Sequence, residues 1–331
     1  MDRPVIRDLV PIPRVWDRLG RVEERLYEAT TSDDEFLTGI AQHLLGAGGK
    51  RYRPLLAQVA AELGGHDGEG PVEAGVAVEL VHLGSLYHDD VIDEAESRRG
   101  TASVNANWTN TVAILAGDFL LARASEVAAP LGTEAVALLA RTYASLCEGQ
   151  ILELQLSDRL DQGVAGYYRV VELKTASLIR TAARLGAMAG GADRAAVEAA
   201  TRWGHEVGMV FQLTDDVLDL IATEDFLGKP AGSDIGEGTY TLPVLLALDG
   251  PSGGRVRELL APGKPHRPEA VAEVLEVVRA GDHVDRALAE VDARMAAAGH
   301  ALDELGGGEV VEVFRALGAY LLERVDTAIG R

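Results

Sequence analysis

The sequence of 331 residues is poor in cysteine, in positive charge and in long apolar runs. Its one cysteine, Cys147, excludes an internal disulfide and is typical of a reducing compartment, so we predict a cytoplasmic protein. A net charge of −21 argues against nucleic-acid binding, because such surfaces are basic. No uncharged stretch approaches about 18 residues, and no secretory pattern opens the chain. We therefore expect at most peripheral contact with a membrane.

Strand patterns are missing as well. No segment alternates apolar and polar residues over the length of a strand, and no unit of about 20–50 residues repeats. Apolar residues instead recur three and four positions apart, as at Val76, Leu80 and Leu83. No linker interrupts the sequence, so it predicts an all-α fold and a single domain over residues 1–331.

Glycine, proline and capping residues divide the chain into predicted helices. We expect helices over 14–31, 71–94, 107–129, 134–157, 166–190 and 194–223, with a capping box at 32–35 that begins a further helix. The glycines at 46–49 should end that helix, since glycine accepts the left-handed conformation found there. Beyond Thr241 the pattern is helical again, apart from a Gly/Pro-rich loop around 250–267.

The most informative pattern is a repeated group of aspartates. The first triad consists of Asp89, Asp90 and Asp93; the second triad, at the same Asp-Asp-x-x-Asp spacing, consists of Asp215, Asp216 and Asp219. On a helix this spacing places all three carboxylates within about 100° of one face, where like charges repel. A solvated acidic helix end could explain the first triad, but the second lies in an apolar helix. The recurrence predicts a magnesium site that closes on a diphosphate.

Basic residues accompany both triads. Lys50 and Arg53 lie beside a glycine-rich turn, Arg98 and Arg99 follow the first triad, and Lys229 follows the second between glycine and proline. Glycine-rich turns can present backbone N–H groups and cationic side chains to a phosphate, although surface decoration is the alternative interpretation.

Polar residues inside apolar helices are further candidates. Lys174 and Thr175 lie in such a helix, where an unpaired polar group is costly, unless the lysine reaches solvent. His82 precedes the first triad by one to two turns, and its candidacy depends on that position alone, since a lone histidine is often a core residue.

Together these residues resemble the trans-isoprenyl diphosphate synthases, the polyprenyl synthetase family, over essentially the whole chain. The matching pieces, in the order of the family, are Gly-Gly-Lys-Arg-x-Arg-Pro at 48–54, His82, the first triad, Arg98-Arg99-Gly100, Lys174-Thr175, Phe211-Gln212, the second triad and Gly228-Lys229. The resemblance implies a large helical bundle around a central cavity, usually as a homodimer. It departs from the family at Thr239, where many members carry a lysine.

The resemblance also implies roles for individual residues. Of the ligands to three expected Mg²⁺ ions, Asp89, Asp93 and Asp215 would bind directly, and Asp90, Asp216 and Asp219 would complete the shell, partly through water. The allylic diphosphate would contact Arg98, Lys174 and Lys229, and isopentenyl diphosphate would contact Lys50, Arg53, His82 and Arg99. The oxygens of Thr175 and Gln212 would stabilise the allylic cation formed when diphosphate leaves.

Product length should depend on the helix that carries the first triad. Helical side chains tilt toward the N-terminus, so the growing chain would pass the positions one, two and three turns before Asp89. These small residues, the predicted chain-length pocket, are Ser85, Gly84, Val81, Val78 and Ala77. A pocket without an aromatic floor predicts a long all-trans product, about hexaprenyl to decaprenyl. If Tyr87 or a bulky neighbour blocks the path, the product would be geranylgeranyl diphosphate.

Two rival functions fit parts of the pattern. A class I terpene cyclase also uses Asp-Asp-x-x-Asp, but it has no need of Lys50, Arg53 and Arg99, and its second metal motif normally mixes Asn, Ser or Thr with Glu. A non-catalytic partner subunit could lose carboxylates, whereas all six are present here. We therefore predict an enzyme, a trans-polyprenyl diphosphate synthase.

Overall fold

A computed structural model describes residues 6–223 and 230–329. Its longer helices are α1 (Pro13–Ala29), α4 (Tyr52–Ala61), α5 (Gly70–Ile92), α7 (Asn110–Ala128), α8 (Thr133–Leu156), α9 (Gly163–Val171), α10 (Ser177–Ala189), α11 (Arg194–Ile221), α13 (Leu242–Asp249), α14 (Gly253–Leu260), α15 (Pro268–Ala280), α16 (His283–Asp303) and α17 (Glu309–Ile329). Shorter ones are α2 (Glu35–Ala41), α3 (His43–Gly46), α6 (Val104–Asn107) and α12 (Ser233–Gly236). The all-α prediction is confirmed. Across the described ranges, no helix has the length and apolar character needed to cross a bilayer.

The chain divides into two compact units. The first contains the residues up to Ala144, Leu178–Gly204 and Glu304–Val313. The second contains Ser145–Ser177, His205–Asp303 and the residues from Phe314 onward. The first triad and its neighbouring cations belong to the first unit, and the second triad belongs to the second.

Helix α5 is the core helix of the first unit. It is buried around most of its circumference and packs against α1, α4 and α7, as expected of a helix that is apolar on all sides. Helix α4 is also closely packed against α10: a Cβ at Gly186, or at Gly190 just after α10, would lie 2.1 Å from the carbonyl oxygen of Ala57 or Ala61. The triad helix α5 therefore packs against a neighbour that is itself held firmly.

Ion pairs fasten α1 to the rest of this unit. Arg18 is 2% exposed and donates from Nη1 to Glu62 at 2.7 Å and from Nη2 to the backbone oxygen of His66 at 2.7 Å. Arg14 contacts the other oxygen of Glu62, and Arg25 reaches Glu73 at 3.0 Å. The contacts of Glu62 lie at the C-terminal end of α4, away from the glycine-rich turn at its start.

A small hairpin follows the first triad and was not expected from the sequence. Strands β1 (Ser97–Arg98) and β2 (Thr101–Ala102) pair antiparallel. The two residues between them, Arg99 and Gly100, have φ values of 55° and 76°, the pattern of a tight hairpin turn with positive φ at both central positions. Strands of two residues are too short to give an alternating pattern, which explains why the sequence did not predict them.

Other differences from the predicted elements are local. Helix α2 begins at Glu35, and its N-cap is Asp34 and not Ser32, because the Asp34 carboxylate accepts the N–H groups of Phe36 and Leu37. The helix predicted over 166–190 is interrupted by a π-helical turn at Glu172–Ala176. Glycines pack against this turn from two helices, since a Cβ at Gly149 or Gly208 would clash with it.

Candidate active site

Each triad is built from one helix of one unit. The first triad closes α5: Asp89 is partly exposed, Asp90 is fully buried, and Asp93 is the exposed C-cap residue. Arg98 of the hairpin binds the buried member, with Nε and Nη2 at 2.7 and 2.6 Å from Oδ1 of Asp90. Burial raises the pKa of Asp90, and the bond from Arg98 opposes that rise. Arg98 therefore stabilises the charged form of the central carboxylate.

Three of the residues predicted to bind isopentenyl diphosphate lie in one basic cluster beside α5. Arg53 Nη1 is 3.3 Å from Nε2 of His82, and Arg99 is close enough to lower the pKa of both. Burial, followed by the charge of Arg53, holds the pKa of His82 well below its usual range. The ring is therefore neutral at pH 7 and can donate or accept one hydrogen bond beside the guanidinium groups.

The glycine-rich turn is held between two arginines. Arg99 donates from Nη1 to the backbone oxygens of Gly48 and Leu44, and Arg51 donates to Gly48 from the other direction at 3.3 Å. Gly49 has a φ of 152°, and a Cβ there would lie 2.7 Å from Arg51 Nη1 and 3.0 Å from the Arg99 guanidinium. Only glycine fits this position. Lys50, the next residue, is exposed.

The second triad lies inside α11 and is more deeply buried. Asp216 accepts a hydrogen bond from the Tyr167 hydroxyl at 2.5 Å and one from Gln212 Nε2 at 2.7 Å. Thr175 donates to Oε1 of the same Gln212 at 2.8 Å. Burial raises the pKa of Asp216 to about 8, with nearby Asp234 adding to the rise and the two hydrogen bonds opposing it. Thr175, Gln212, Asp216 and Tyr167 thus form one connected network.

The outer carboxylates of this triad have different contacts. Asp215 is 36% exposed and lies 2.9 Å from Arg324 of α17. Asp219 is 3% exposed; its Oδ2 lies 3.4 Å from the N–H of Asp234, and its backbone oxygen accepts from Gly232 at 2.9 Å. Gly232 and Asp234 therefore connect the described segment that begins at residue 230 to the last carboxylate of the triad.

Lys174 and Thr175 lie in the π-helical turn. Lys174 forms an ion pair with Glu153 of α8, and both side chains are about one-quarter exposed. A π turn widens the helix by one residue and is often found at functional sites. Here it directs Lys174 toward α8 and Thr175 toward α11. Lys229, the third residue predicted to bind the allylic diphosphate, lies outside the described residues.

The predicted chain-length pocket lies along α5. Ala77, Val78 and Val81 are buried, and Ser85 donates to the backbone oxygen of His82 at 2.8 Å. At Gly84, a Cβ would meet the Gly117 oxygen and the Leu121 side chain at 3.1 Å, so close packing on α7 explains the glycine. The role of these five residues as a pocket stays a prediction.

Tyr87, the residue considered as a blockage of this path, forms hydrogen bonds between two segments of the chain. It is fully buried, and its hydroxyl donates to the backbone oxygen of Ile40 at 2.8 Å and accepts from the N–H of Leu44. The ring thus joins α5 to the segment before the glycine-rich turn.

The donor set suits a hard divalent cation. Among the described residues no three acidic, histidine or cysteine side chains converge into a ready-made cluster. Mg²⁺ does not need one, because it typically uses one or two carboxylates and takes water and phosphate oxygens for the rest. Oδ2 of Asp90 is buried without a hydrogen-bond partner in the described part of the chain, although its other oxygen is bound by Arg98. A buried, unsatisfied carboxylate oxygen fits a metal or metal-bound water as its missing partner.

Comparison with known proteins agrees with this geometry. Residues 34–279 match the sequence profile described as polyprenyl synthetase. The chain belongs to the polyprenyl synthetase family. It is 42% identical over 310 residues to heptaprenyl diphosphate synthase component 2 of Geobacillus stearothermophilus, covering 93% of this chain and 96% of that protein. It is 43% identical over 272 residues to nonaprenyl diphosphate synthase of Mycobacterium tuberculosis, covering 81% of each.

The fold is also similar to that of a solved structure. Geranylgeranyl pyrophosphate synthase of Corynebacterium glutamicum, complexed with calcium and isoprenyl diphosphate, matches with a TM-score of 0.84 and 41% identity, over 95% of this chain and 96% of that one. The predicted family, helical fold and prenyltransferase class are confirmed.

Several residues around the site were not predicted from the sequence. Arg51 and Glu79 support the glycine-rich turn, Tyr167 binds Asp216, and Arg324 pairs with Asp215. Only Glu79 gave a usable indication, as a lone carboxylate in the most apolar part of α5. Arg51 lies in the Gly-Gly-Lys-Arg-x-Arg-Pro segment, which gave it no role, whereas Tyr167 and Arg324 come from distant parts of the sequence and no local pattern marks them.

Proposed function

We propose that this polyprenyl synthetase is an Mg²⁺-dependent enzyme that condenses isopentenyl diphosphate with an allylic diphosphate, head to tail. The product would be a long all-trans polyprenyl diphosphate, about hexaprenyl to decaprenyl. One observation carries the proposal: in each triad the central carboxylate is fixed by a protein donor, Arg98 or Tyr167, while the first carboxylate stays partly exposed. Each triad therefore presents a partly exposed carboxylate beside a central one that the protein holds in place.

The residues divide the work between two diphosphates. Arg53, His82, Arg99 and Lys50 supply positive charge and hydrogen bonds for isopentenyl diphosphate. Arg98 and Lys174 provide charge for the allylic diphosphate. When bound, Mg²⁺ would neutralise charge on the departing diphosphate as a Lewis acid, with Asp89, Asp93 and Asp215 as ligands and Asp90, Asp216 and Asp219 behind them.

The allylic cation left by ionisation needs fixed dipoles near it. Thr175 Oγ1 uses its proton on Gln212, so its lone pairs are oriented outward from that bond and can face positive charge. The double bond of isopentenyl diphosphate then attacks the cation, a new carbon–carbon bond forms, and a proton is lost to the departed diphosphate. Each cycle lengthens the product by one five-carbon unit.

A long product is favoured by the relatives named heptaprenyl and nonaprenyl diphosphate synthase and by the small residues of the predicted chain-length pocket. The hydrogen bond from the Tyr87 hydroxyl to Ile40 supports a structural role for this ring instead of a blockage. A second candidate, geranylgeranyl diphosphate synthesis, is favoured by the 41% identity to the Corynebacterium glutamicum enzyme of that name.

Product analysis separates these candidates. Purified protein would be incubated with Mg²⁺, labelled isopentenyl diphosphate and either farnesyl or geranylgeranyl diphosphate, and the dephosphorylated products would be resolved by length. A series ending at hexaprenyl to decaprenyl supports the proposal, whereas a single product no longer than geranylgeranyl supports the second candidate. Cyclised hydrocarbon would indicate a terpene cyclase.

Assembly is the remaining part of the proposal. Ile114 and Leu115 of α7 are 43% and 61% exposed, an apolar pair on one helix face that a second copy could cover. We expect a homodimer by light scattering. Because one relative is named a component 2, absence of incorporation by the purified chain alone would indicate that a second subunit is required.

A further inference from the structure

We infer that Arg51 and Glu79 are positioning residues for the isopentenyl diphosphate site: they hold the glycine-rich turn and the neighbouring guanidinium groups in place without binding the substrate. The inference deepens the proposed function and depends on it. Neither residue is among those that the family resemblance assigns to substrate, yet both are buried at the centre of the basic cluster, 9% and 2% exposed.

Arg51 is committed to protein partners. Its guanidinium forms a two-pronged contact with Glu23 of α1 at 2.7 and 2.8 Å, and Nη1 lies 3.3 Å from Oε1 of Glu79. The same group donates to the backbone oxygens of Gly48 and Leu45, both at 3.3 Å. Its donors are therefore used within the protein, and few remain for a diphosphate.

The backbone of Arg51 is also unusual. Its φ is 46°, in the left-handed region that residues with a side chain rarely adopt, and it caps the start of α4. Such a conformation persists only where its surroundings hold it in place. Because Lys50 precedes Arg51 and Arg53 follows in the first turn of α4, the conformation at Arg51 sets the direction of both substrate-binding residues.

Glu79 is the carboxylate among these cations. It lies on α5, and its charge acts on Arg51, Arg53 and Arg99 together. Three guanidinium groups would otherwise repel one another in a site without substrate. Glu79 thus offsets part of this repulsion before the diphosphate arrives, and it fixes Arg51 at the same time.

Two roles of Glu79 predict opposite changes in diphosphate binding when its charge is removed. The sign of the measured change therefore decides between the two roles. If the carboxylate only lowers the positive potential, its neutralisation would strengthen binding of a diphosphate. If it positions Arg51 and through it the turn, neutralisation would weaken that binding. The inference predicts weakening.

The experiment compares Glu79→Gln and Arg51→Lys with wild type. Glutamine keeps the shape of Glu79 without its charge, and lysine keeps the charge of Arg51 without the planar fork that reaches several acceptors. We expect KM for isopentenyl diphosphate to rise roughly tenfold or more in both, as for loss of a buried charged hydrogen bond. KM for farnesyl diphosphate and kcat should stay within about twofold, because no contact made only in the transition state is lost.

Glu62→Gln is the matched control. Glu62 is a buried partner of two α1 arginines at the other end of α4, about 17 Å along the helix from Arg51. It should lower thermal stability without changing KM for isopentenyl diphosphate. If Glu62→Gln and Glu79→Gln behave alike, or if Glu79→Gln lowers that KM, the positioning role is wrong.

Calorimetric binding of inorganic pyrophosphate in metal-free buffer gives a readout that needs no turnover. Weaker binding by Glu79→Gln and Arg51→Lys, with Glu62→Gln unchanged, supports the inference even if the wild type makes an unexpected product. Equal binding by all four proteins overturns it. Failure of the proposed function is seen separately, as wild-type protein that incorporates no isopentenyl diphosphate.

Discussion

The two aspartate triads have the same spacing and opposite surroundings. In the first, the central Asp90 is bound by a cation, Arg98, at a helix end. In the second, the central Asp216 is bound by two neutral groups, Tyr167 and Gln212, in the interior of a helix. Repulsion between neighbouring carboxylates is therefore reduced in two ways. In the first triad a cation compensates the charge of the central carboxylate, and in the second the central carboxyl is hydrogen-bonded and more readily protonated.

The comparison extends to the neighbouring positions. The third carboxylate is exposed in the first triad, as Asp93, and buried in the second, as Asp219. One turn before the first triad lies the small Ser85, and at the corresponding position before the second lies Phe211. The first triad therefore combines an accessible helix end with small upstream residues, whereas the second is the more rigidly enclosed of the two.

The largest loss of activity is expected from substitutions of the first aspartate of each triad, because both are proposed to bind metal directly. Asp89→Ala and Asp215→Ala each remove a proposed direct metal ligand, so each should lower kcat with Mg²⁺ by about a thousandfold or more. Asp33→Ala, which removes an exposed carboxylate from the loop before α2, is the control for charge and should retain activity. Near-normal turnover in either triad variant would contradict the shared metal role.

The second largest effect is expected on product length, through the residue one turn before the first triad in α5. Ser85→Phe gives α5 the aromatic residue that α11 already carries one turn before its triad. Because one helical turn is about 5.4 Å, close to one isoprene unit, the ring should end elongation early. We expect products several units shorter, measured by chromatography after dephosphorylation. Ser85→Ala should leave the distribution unchanged, and an unshortened product from Ser85→Phe would show that this wall does not set length.

Substitutions of the two central carboxylates should differ in their effect on protein stability, measured as the thermal midpoint of unfolding in EDTA. Asp90→Asn leaves Arg98 without its charged partner and should cost about 1–3 kcal/mol, a fall of a few degrees. Asp216→Asn should be as stable as wild type or more so at pH 7, because a pKa of about 8 means that the wild-type carboxyl is already protonated there.

The sign of the pH dependence follows from the same shift. The folded chain keeps the Asp216 proton up to about pH 8, while the unfolded chain releases it near about 4. Wild type therefore loses stability as pH rises through this window, and Asp216→Asn does not. The thermal midpoint of Asp216→Asn minus that of wild type should increase between pH 5 and pH 8. A difference that decreases over this range would contradict the raised pKa of Asp216.

The smallest effect is expected at Arg324, which pairs with Asp215 of the second triad. Arg324 and Asp215 are 22% and 36% exposed, so their ion pair is screened by solvent. Arg324→Gln should lower the Mg²⁺ concentration for half-maximal activity by about twofold, since the metal no longer competes with the guanidinium. Arg315→Gln, on the same helix, should leave the metal requirement unchanged.

Residue type and spacing were sufficient to predict the helical class and both triads, and the family resemblance of these residues implied the prenyltransferase chemistry. They could not predict the partners of those residues, because the contacts of Asp216 and Asp215 join residues 49 and 109 positions apart. The hairpin at Arg99 was missed because its strands are two residues long, and no pattern in the sequence indicated that Gly84 packs closely against α7. Local periodicity reports which face is buried but not what lies against it.

The π-helical turn has a consequence for how this chain can change in length. It takes up one residue more than an α-helical turn would, between 172 and 176. Deleting a single residue there would restore a regular helix, but it would rotate Lys174 and Thr175 by about 100° away from Glu153 and Gln212. The helix would survive and both polar contacts would be lost. Substitutions in this turn are therefore easier to accommodate than an insertion or a deletion.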